Sequence, residues 1–364
     1  MATVSRAEKV FRNDEAIRGA LIDSIAEHGW DSTTISGVAR RAGVTVGAVY
    51  LRAENIVELA NDVWTNSLGS IVRRFFEEVG SAARSGDPEL IKDVSLPRNF
   101  SSPGLSVGLE LVVASLFDDE LSEVIGHDFA RLVRENVCES DASLQARHHQ
   151  AAKFLVTAFM LGRVLARSGG ANVEPLSDED ATTLAGFYSA EPELHAPLAL
   201  PKLQFVRSPH DVDLSVEEAA IATLSKWGYR RATFSRIARR ANTSPGALIA
   251  GYSSKADFLS HAARVLLHSP LEVWQQYEGY ITSLGSAEIR TEFLVRYLDP
   301  ANSEFWKLNL ELARIASTDL GFSQFKTPAD PLQRTHLAVM FLAFFVPDSH
   351  LQLFQGCFRV GVTT

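Results

Sequence analysis

Apolar residues recur at helical spacing in two stretches of the chain that lie 199 positions apart. In each stretch, small or apolar side chains occupy positions i, i+3, i+4, i+7 and i+8, a spacing typical of a helix packed on one face. These positions are Ile17, Ala20, Leu21, Ser24 and Ile25 in the first stretch and Val216, Ala219, Ala220, Thr223 and Leu224 in the second. Gly29 and Gly228 follow and are expected to end the two helices, because glycine adopts the left-handed conformation at low cost.

A second helix is predicted after each of these glycines. Hydroxyl side chains are preferred N-caps, so this helix is expected to begin after Thr33 or Thr34 in the first stretch and after Thr233 in the second. Its buried face is expected to consist of Ile35, Val38, Ala39 and Ala42, or of Phe234, Ile237, Ala238 and Ala241.

A tight turn is expected between the second helix and a short third one. Gly43 occupies the turn in the first stretch and Asn242 in the second, and both residue types tolerate a positive φ. Thr45 and Ser244 then cap the third helix, and Pro245 suits its first position, where no amide donor is needed. This order of elements is typical of a helix-turn-helix unit, whose last helix enters the major groove of DNA.

The two units are copies of one another. Residues 29–59 and 228–258 align without a gap, and nine of the 31 positions are identical, including Ala-Arg-Arg-Ala at 39–42 and 238–241. Two generic helical bundles with an accidental match would not be expected to share caps, turns and glycines across three helices. Because such a unit usually needs a two-fold partner to bind two half-sites, we expect this chain to form its own pseudo-dimer as a monomer.

The composition is that of a globular protein with more than one domain. The chain has 364 residues, 46% of them hydrophobic and 22% charged, and a net charge of −9. It has no run of about 18 apolar residues that could span a membrane, and its N-terminus lacks an apolar signal core. Its two cysteines make no disulfide framework. We therefore expect a cytoplasmic protein without a membrane partner.

Positive charge is concentrated in the two repeats. Residues 226–255 contain seven basic residues and no acid, and residues 32–53 contain three basic residues and no acid. Basic faces on an acidic body are typical of a regulator that binds DNA reversibly. Two solvated basic faces are the alternative.

The segments TTISGVARRAGVTVGAVY and ATFSRIARRANTSPGALI resemble the helix-turn-helix region of the TetR family of transcriptional regulators, over about 50 residues of each half. The resemblance implies an all-α fold with two TetR-like halves. Each half would be a helix-turn-helix head on a helical body that binds a ligand and dimerises, and the halves would form an intramolecular pseudo-dimer. The implied function is a repressor that binds a double-stranded DNA operator and is released by an unknown small-molecule effector. The alternative is a degenerate module that binds a ligand or partner protein without binding DNA.

The resemblance also assigns roles to individual residues. The residues expected to contact DNA phosphates are Thr34, Tyr50, Thr233 and Lys255. Those expected to contact base edges or to lie in the groove are Thr45, Val46, Ala48, Ser244, Pro245 and Ala247. The residues expected to reach either phosphates or guanine edges are Arg40, Arg41, Arg239 and Arg240. One arginine of each pair is expected to be solvated or paired with an acid instead.

A pattern that follows the third helix in this family is divided between the two copies. Family members carry a Tyr, an aromatic residue three positions later and a Lys three positions after that. The first copy keeps only the first of these, Tyr50, and the second keeps only the other two, Tyr252 and Lys255. Since each phosphate contact adds to affinity, we expect each head to bind DNA more weakly than a complete one. The second head, with seven cations, should be the stronger electrostatic anchor.

The remaining sequence predicts helical bodies and a linker. The expected ranges are 1–65 for the first head, 66–190 for the first body, 191–210 for the linker, 211–266 for the second head and 267–364 for the second body. The linker is proline-rich, and a shorter loop is predicted at residues 97–104. The resemblance further implies a four-helix interface between the halves, formed by residues 147–168, 177–189, 330–346 and 349–360.

The second body contains an aromatic cluster that suits an apolar effector pocket. The candidate ligand-binding residues are Trp274, Tyr277, Phe293, Tyr297 and Trp306. Plain core is the competing interpretation, because aromatics at helical spacing are usually packed against one another.

Four charged residues lie in otherwise apolar stretches and are expected either to orient a polar ligand or to be paired charges. They are Glu110, Arg131, Glu311 and Arg314. No metal site, cofactor site or catalytic constellation is recognised, so an enzyme is not expected.

Overall fold

The computed structural model describes residues 6–96, 102–138, 143–189, 214–266, 300, 303–326, 331–347, 351 and 354. Every regular element within these ranges is helical, which confirms the all-α prediction. In the first half the α-helices are α1 (Arg6–His28), α2 (Ile35–Arg41), α3 (Val46–Tyr50), α4 (Ile56–Val63), α5 (Gly69–Ser85), α6 (Pro88–Val94), α7 (Pro103–Ser115), α8 (Asp119–Leu121), α9 (His127–Val137), α10 (Leu144–Ser168) and α11 (Asp178–Ser189).

In the second half they are α12 (Val216–Arg231), α13 (Phe234–Arg240), α14 (Pro245–Gly251), α15 (Lys255–Leu266), α16 (Ser303–Ala316) and α17 (Pro331–Ala343). Two 3-10 helices, Trp30–Ser32 and Leu320–Phe325, and two π-helical segments, Trp64–Leu68 and Ser122–Gly126, complete the described elements. No described helix is long and apolar enough to cross a membrane.

The predicted loop at residues 97–104 is shorter than expected. α7 begins at Pro103 after the N-cap residue Ser102, so the last two residues of the predicted loop are helical. The physical reason is that proline fits the first turn of a helix, where its missing amide donor is not needed. Proline therefore begins a helix here rather than marking a loop.

The chain divides into two compact units. The first contains residues 1–75 and 97–129, and the second contains residues 76–96 and 130–364. The predicted division into heads, bodies and linker stays a prediction, since residues 191–210 lie outside the described part of the chain.

The first unit has its core between α1, α2 and α7. The predicted apolar stripe of α1 is buried, with Leu21 and Ile25 fully inaccessible. α7 lies against α1 and against the π-helical segment Trp64–Leu68. A side chain at Gly108 would come within 2.8 Å of Val72 Cγ2, so a glycine at this position permits α7 to approach α5 closely.

The second unit contains the core of the second head and the contact between the two halves. In the head, α12 packs on α15 and α16, and the predicted stripe of α12 is buried apart from Val216, which is partly buried. Between the halves, α10 packs along α17, as the predicted four-helix interface requires. α11 packs on α10 and α6. Of the fourth predicted segment, 349–360, only Leu351 and Phe354 are described; both are buried, and the Phe354 ring lies 5.0 Å from that of Phe154.

α10 approaches the backbone of α17 closely at Gly162. A Cβ at this position would lie 2.7 Å from the carbonyl oxygen of Arg334, which is backbone and cannot rotate away. We expect Gly162→Ala to destabilise the protein by about 1–3 kcal/mol, because the extra methyl group overpacks the interface. The free energy of unfolding in urea measures this effect.

Gly186→Ala is the matched control for this substitution. Gly186 lies in α11, and no neighbouring atom within 4 Å would meet its Cβ. Alanine is favoured over glycine in a helix, so this variant should be stabilised by about 0.5–1 kcal/mol. Equal changes in the two variants would contradict the tight α10–α17 contact.

Candidate nucleic-acid interface

The two heads share the same turn between their second and third helices. Gly43 has a φ of 67°, and Asn242 has a φ of 49°, which is the one positive φ among the described non-glycine residues. Gly29 follows α1 with a φ of 76°, as predicted. Gly228 has a φ of 67° and a non-helical backbone, so it interrupts α12 and separates its long first part from the short turn Tyr229–Arg231. The chain therefore turns in both heads through the left-handed conformations that the sequence predicts. Asparagine, which adopts this conformation more readily than most residues with a side chain, replaces glycine in the second head.

The predicted hydroxyl caps of α2 and α13 are present. In the first head the cap is Thr34, whose Oγ1 accepts the amide of Gly37 at 3.1 Å. The adjacent Thr33 is buried and donates its hydroxyl to the Gly29 carbonyl at 2.8 Å. In the second head Thr233 caps α13 by accepting the amide of Arg236 at 3.4 Å. Thr34 and Thr233, the two predicted phosphate contacts, are both exposed at the start of these helices.

The third helices are capped in the same way. Thr45 accepts the amide of Ala48, and Ser244 accepts the amide of Ala247, both at 3.2 Å. Pro245 occupies the first turn of α14, as predicted. α3 and α14 thus begin at the same point of each head, with the same hydrogen bond.

The outer faces of α3 and α14 carry exposed apolar side chains. Tyr50 is 54% exposed and Val46 is 38% exposed, and Ile249 takes the position of Tyr50 in the second head at 56% exposure. Pro245 and Ala247 are also exposed, and Ala48 is partly exposed. These side chains face outward, so the major groove of DNA could cover them.

Gly47 and Gly246 lie in the first turn of the third helices, where a missing side chain permits close approach of a neighbouring backbone. Within the described chain no backbone approaches either of them, since a Cβ at Gly246 would meet nothing within 4 Å and one at Gly47 only the Thr45 hydroxyl at 4.0 Å. Space is therefore open beside the first turn of each third helix.

The arginine pairs differ between the heads. Arg41 forms a salt bridge with Glu27, and this guanidinium lowers the pKa of the Glu27 carboxyl. In the second head no carboxylate of the described residues pairs with Arg239 or Arg240. All four arginines lie in the last turn of α2 or α13, where a cation is favoured by the helix dipole. Helix stability therefore accounts for part of their presence. Arg40 likewise has no carboxylate partner among the described residues, so one arginine of the pair is neutralised in the first head and neither is neutralised in the second.

Lys255, a predicted phosphate contact, has partners within the chain. Its ammonium donates to the Tyr229 carbonyl at 2.9 Å and lies 4.0 Å from the centre of the Tyr229 ring. Tyr252 is half-buried, its ring is 4.8 Å from that of Phe258, and this burial raises the pKa of its hydroxyl. The two residues kept from the family pattern thus pack on their own head, and contact with DNA would use the remaining donors of the ammonium group.

The sequence analysis singled out Glu110 and Glu311 as charges in apolar stretches but did not predict the role that the structure gives them. The Glu110 carboxylate accepts the backbone amide of Trp30 at 2.6 Å, and the Glu311 carboxylate accepts that of Tyr229 at 2.5 Å. Both amides follow the glycine that ends the first helix of a head. Each half therefore uses one body-helix carboxylate, from α7 or α16, to hold the same point of its head. The expectation of ligand-orienting or paired charges omitted this backbone contact.

Glu311 is also a paired charge. It is 1% exposed, and its oxygens accept from Arg314 Nε at 2.7 Å and Nη2 at 2.9 Å. At the corresponding place in α7, three residues after Glu110, the first half has Val113. The contact in the second half is therefore ionic and buried, whereas Glu110 is half-buried.

The candidate effector pocket lies mostly outside the described residues. Trp274, Tyr277, Phe293 and Tyr297 are among the residues that are not described. Trp306 is buried, and its ring packs edge-on against Phe344 at 5.6 Å. The indole nitrogen of Trp306 has no acceptor among the described side and main chains. Its role in ligand binding stays a prediction.

The described residues contain no group of three or more His, Cys, Asp or Glu side chains that could hold a metal ion. His148 is buried, and His149 stacks on the ring of Tyr188 at 4.2 Å. Arg131 lies 3.9 Å from Glu135 on the exposed side of α9.

Both heads match a known family. The model of the family "Bacterial regulatory proteins, tetR family" matches the chain twice, at residues 17–63 and 218–262. These ranges contain the helix-turn-helix elements described above. The protein is thus of the helix-turn-helix class and carries two heads of one type. Each head is a helix-turn-helix unit of the tetR family, and the chain carries two of them in tandem.

Curated relatives match a smaller part of the chain. The "Probable acrEF/envCD operon repressor" of Escherichia coli strain K12 is 34% identical over 88 residues, which is 24% of this chain and 39% of the relative. The protein of the same name from Escherichia coli O157:H7 matches to the same extent. The chain thus spans about two fifths of the length of these relatives. A crystal structure of a candidate transcriptional regulator from Streptomyces coelicolor A3(2) matches with a TM-score of 0.36 and 22% identity, over 49% of this chain and 99% of the other, and is too distant to carry an argument.

Proposed function

We propose that this protein is a transcriptional repressor that binds one double-stranded DNA operator with both of its helix-turn-helix heads. The observation that carries the proposal is the presence of two heads with the same capped helices and the same turn in one chain. The relatives of the matched region are described as repressors of an operon, which supports the same function.

The two heads are proposed to bind unequal half-sites. Side chains at matched positions differ in the recognition helices, with Val46 and Tyr50 in the first head and Pro245 and Ile249 in the second. Because base edges are read by side chains that reach into the groove, different side chains should select different bases. The half-site centres should lie about 34–36 Å apart or a multiple of that distance.

Release of the DNA is proposed to follow binding of a small molecule in a helical body. The body helices α7 and α16 hold the heads through Glu110 and Glu311, so a shift of either helix would move the point at which its head begins. Trp306 and the aromatic residues between α15 and α16 are the proposed pocket. The protein would act in the cytoplasm as a monomer, with the α10–α17 contact taking the place of a dimer interface.

Genomic footprinting tests the proposal. The purified full chain is incubated with fragmented host DNA at low and at physiological salt, and bound fragments are sequenced. Enrichment of a site with two dissimilar half-sites is the expected result, and light scattering should give the mass of one chain, 39.9 kDa. A symmetric site bound equally by both heads would contradict the unequal-head proposal. Absence of enrichment at either salt would favour the degenerate binding module.

A further inference from the structure

A second basic surface lies beside the helix-turn-helix of the second head. It is formed by Lys226, Trp227 and Arg236, which we call the basic corner, at the end of α12 and the beginning of α13. The Trp227 ring is 37% exposed. The Arg236 guanidinium carbon lies 4.7 Å from the centre of this ring and the Lys226 ammonium lies 5.4 Å from it. A tryptophan at the surface therefore holds two cations together, as expected from cation–π attraction.

The first head has a different surface at the same three positions. Glu27, His28 and Gly37 replace the residues of the basic corner when the two copies are aligned. Two positive charges in the second head thus correspond to one negative charge in the first. Because the backbone elements of the two heads are the same, this reversal of charge is a property of side chains on a shared scaffold.

The exchange of Glu27 for Lys226 also replaces the carboxylate that neutralises an arginine in the first head. In the first head Glu27 neutralises Arg41. In the second head Lys226 takes the place of that carboxylate, and no carboxylate of the described residues pairs with Arg240, which takes the place of Arg41. Where the first head has the ion pair of Glu27 and Arg41, the second head therefore has two positive side chains, Lys226 and Arg240.

Helix α13 itself does not favour a cation at Arg236. This residue lies in the first turn of α13, where the helix dipole disfavours a cation. The helix is also capped by Thr233, which accepts the Arg236 amide through its hydroxyl, so the side chain of Arg236 is not needed as a cap. The guanidinium is held by the Trp227 ring and has no carboxylate partner among the described residues, so its charge is available to an external anion.

We propose that the basic corner binds the phosphate backbone of duplex DNA next to the half-site that the second head reads. This inference rests on the proposed function. The basic corner adjoins Thr233, the residue expected to contact a phosphate, through the hydrogen bond within the first turn of α13. A lysine ammonium and an arginine guanidinium are both suited to phosphate oxygens, and Trp227 holds the guanidinium in place. The second head is thus an anchor whose contact with DNA extends beyond its recognition helix.

The salt dependence of DNA binding tests the proposal. The affinity of the full chain for a fluorescein-labelled duplex of random sequence is measured by anisotropy at several salt concentrations. The wild type is compared with the double variant Lys226→Gln/Arg236→Gln. Removal of one phosphate-binding cation lowers the slope of log affinity against log salt concentration by roughly one unit. The slope of the double variant should therefore fall by about two units.

A control separates this effect from a change in net charge. The variant Arg74→Gln/Arg84→Gln removes two exposed positive charges from α5, and its slope should remain that of the wild type. Equal slopes for the wild type and the basic-corner variant would overturn the inference. Melting followed by circular dichroism establishes that both variants are folded.

Hydroxyl-radical footprinting on a DNA site recovered from the genomic experiment gives a second readout. The wild type should protect the sugar–phosphate backbone beyond one half-site, and this protection should be missing on that side alone in the basic-corner variant. Unchanged protection would count against the inference. If the wild type shows no salt-dependent DNA binding at all, the proposed function fails and the inference fails with it. If the wild type binds DNA and the basic-corner variant binds it identically, the inference alone fails.

Discussion

Replacing Arg239 and Arg240 with alanine is expected to weaken DNA binding and to flatten its salt dependence by roughly one log–log unit for each phosphate that is no longer neutralised. Both side chains lie at the end of α13, and no carboxylate among the described residues neutralises either of them. Between 50 and 200 mM salt, one fewer neutralised phosphate corresponds to a roughly 3- to 4-fold smaller fall in affinity. Anisotropy titrations of the full chain with a labelled duplex measure the effect.

The first head provides a matched comparison for this prediction. Arg41→Ala removes a guanidinium that Glu27 already neutralises, whereas Arg240→Ala removes the equivalent guanidinium without such a partner. We therefore expect Arg240→Ala to change the salt slope more than Arg41→Ala does. The same change in both variants would contradict the assignment of the larger surplus charge to the second head. No change in either would place these arginines away from the DNA.

Glu311→Ala is expected to have the largest effect on stability. The substitution removes a buried carboxylate that accepts the Tyr229 amide and neutralises Arg314. Removal of one partner from a buried ion pair costs about 3–5 kcal/mol. We expect a corresponding fall in the free energy of unfolding in urea. DNA binding should also weaken, because the hydrogen bond that fixes the second head to α16 is absent from the variant.

Glu110→Ala is the control within the same chain. Glu110 forms the equivalent hydrogen bond with the Trp30 amide, but Val113 stands where the second half has an arginine. This substitution should cost about 1–3 kcal/mol, the range for an unsatisfied buried donor.

The double variant Glu311→Ala/Arg314→Ala should be destabilised by less than the sum of its two single variants. Additive effects would show that the ion pair contributes little.

The local structure of both heads could be predicted from the sequence because short-range chemistry determines it. Hydroxyl caps, a proline in a first turn and a positive φ at Gly43 or Asn242 depend on residues within a few positions of one another. Helical spacing likewise predicted the buried stripe of α1, since one face of a helix must be covered. The repeat itself then showed that two such heads are present.

Side-chain partners could not be predicted in the same way. Glu110 lies 80 positions from Trp30, and Glu311 lies 82 positions from Tyr229, so no local pattern connects a carboxylate with the amide that it holds. The internal partner of Lys255 is separated from it by 26 residues. The difference between Arg41 and Arg240 depends in turn on residue 27 or 226, at the end of another helix.

The amino-acid pattern alone was thus sufficient to establish that the protein is helical, that it contains two copies of one head and where, to within one residue, the second and third helices of those heads begin. These properties follow from spacing and from caps, which act over one or two turns. Three others emerge from the folded chain: which charges remain available at the surface, which carboxylates join a body helix to a head, and how closely α10 and α17 approach at Gly162. They arise where distant segments meet, and they depend on distances that a linear pattern does not contain.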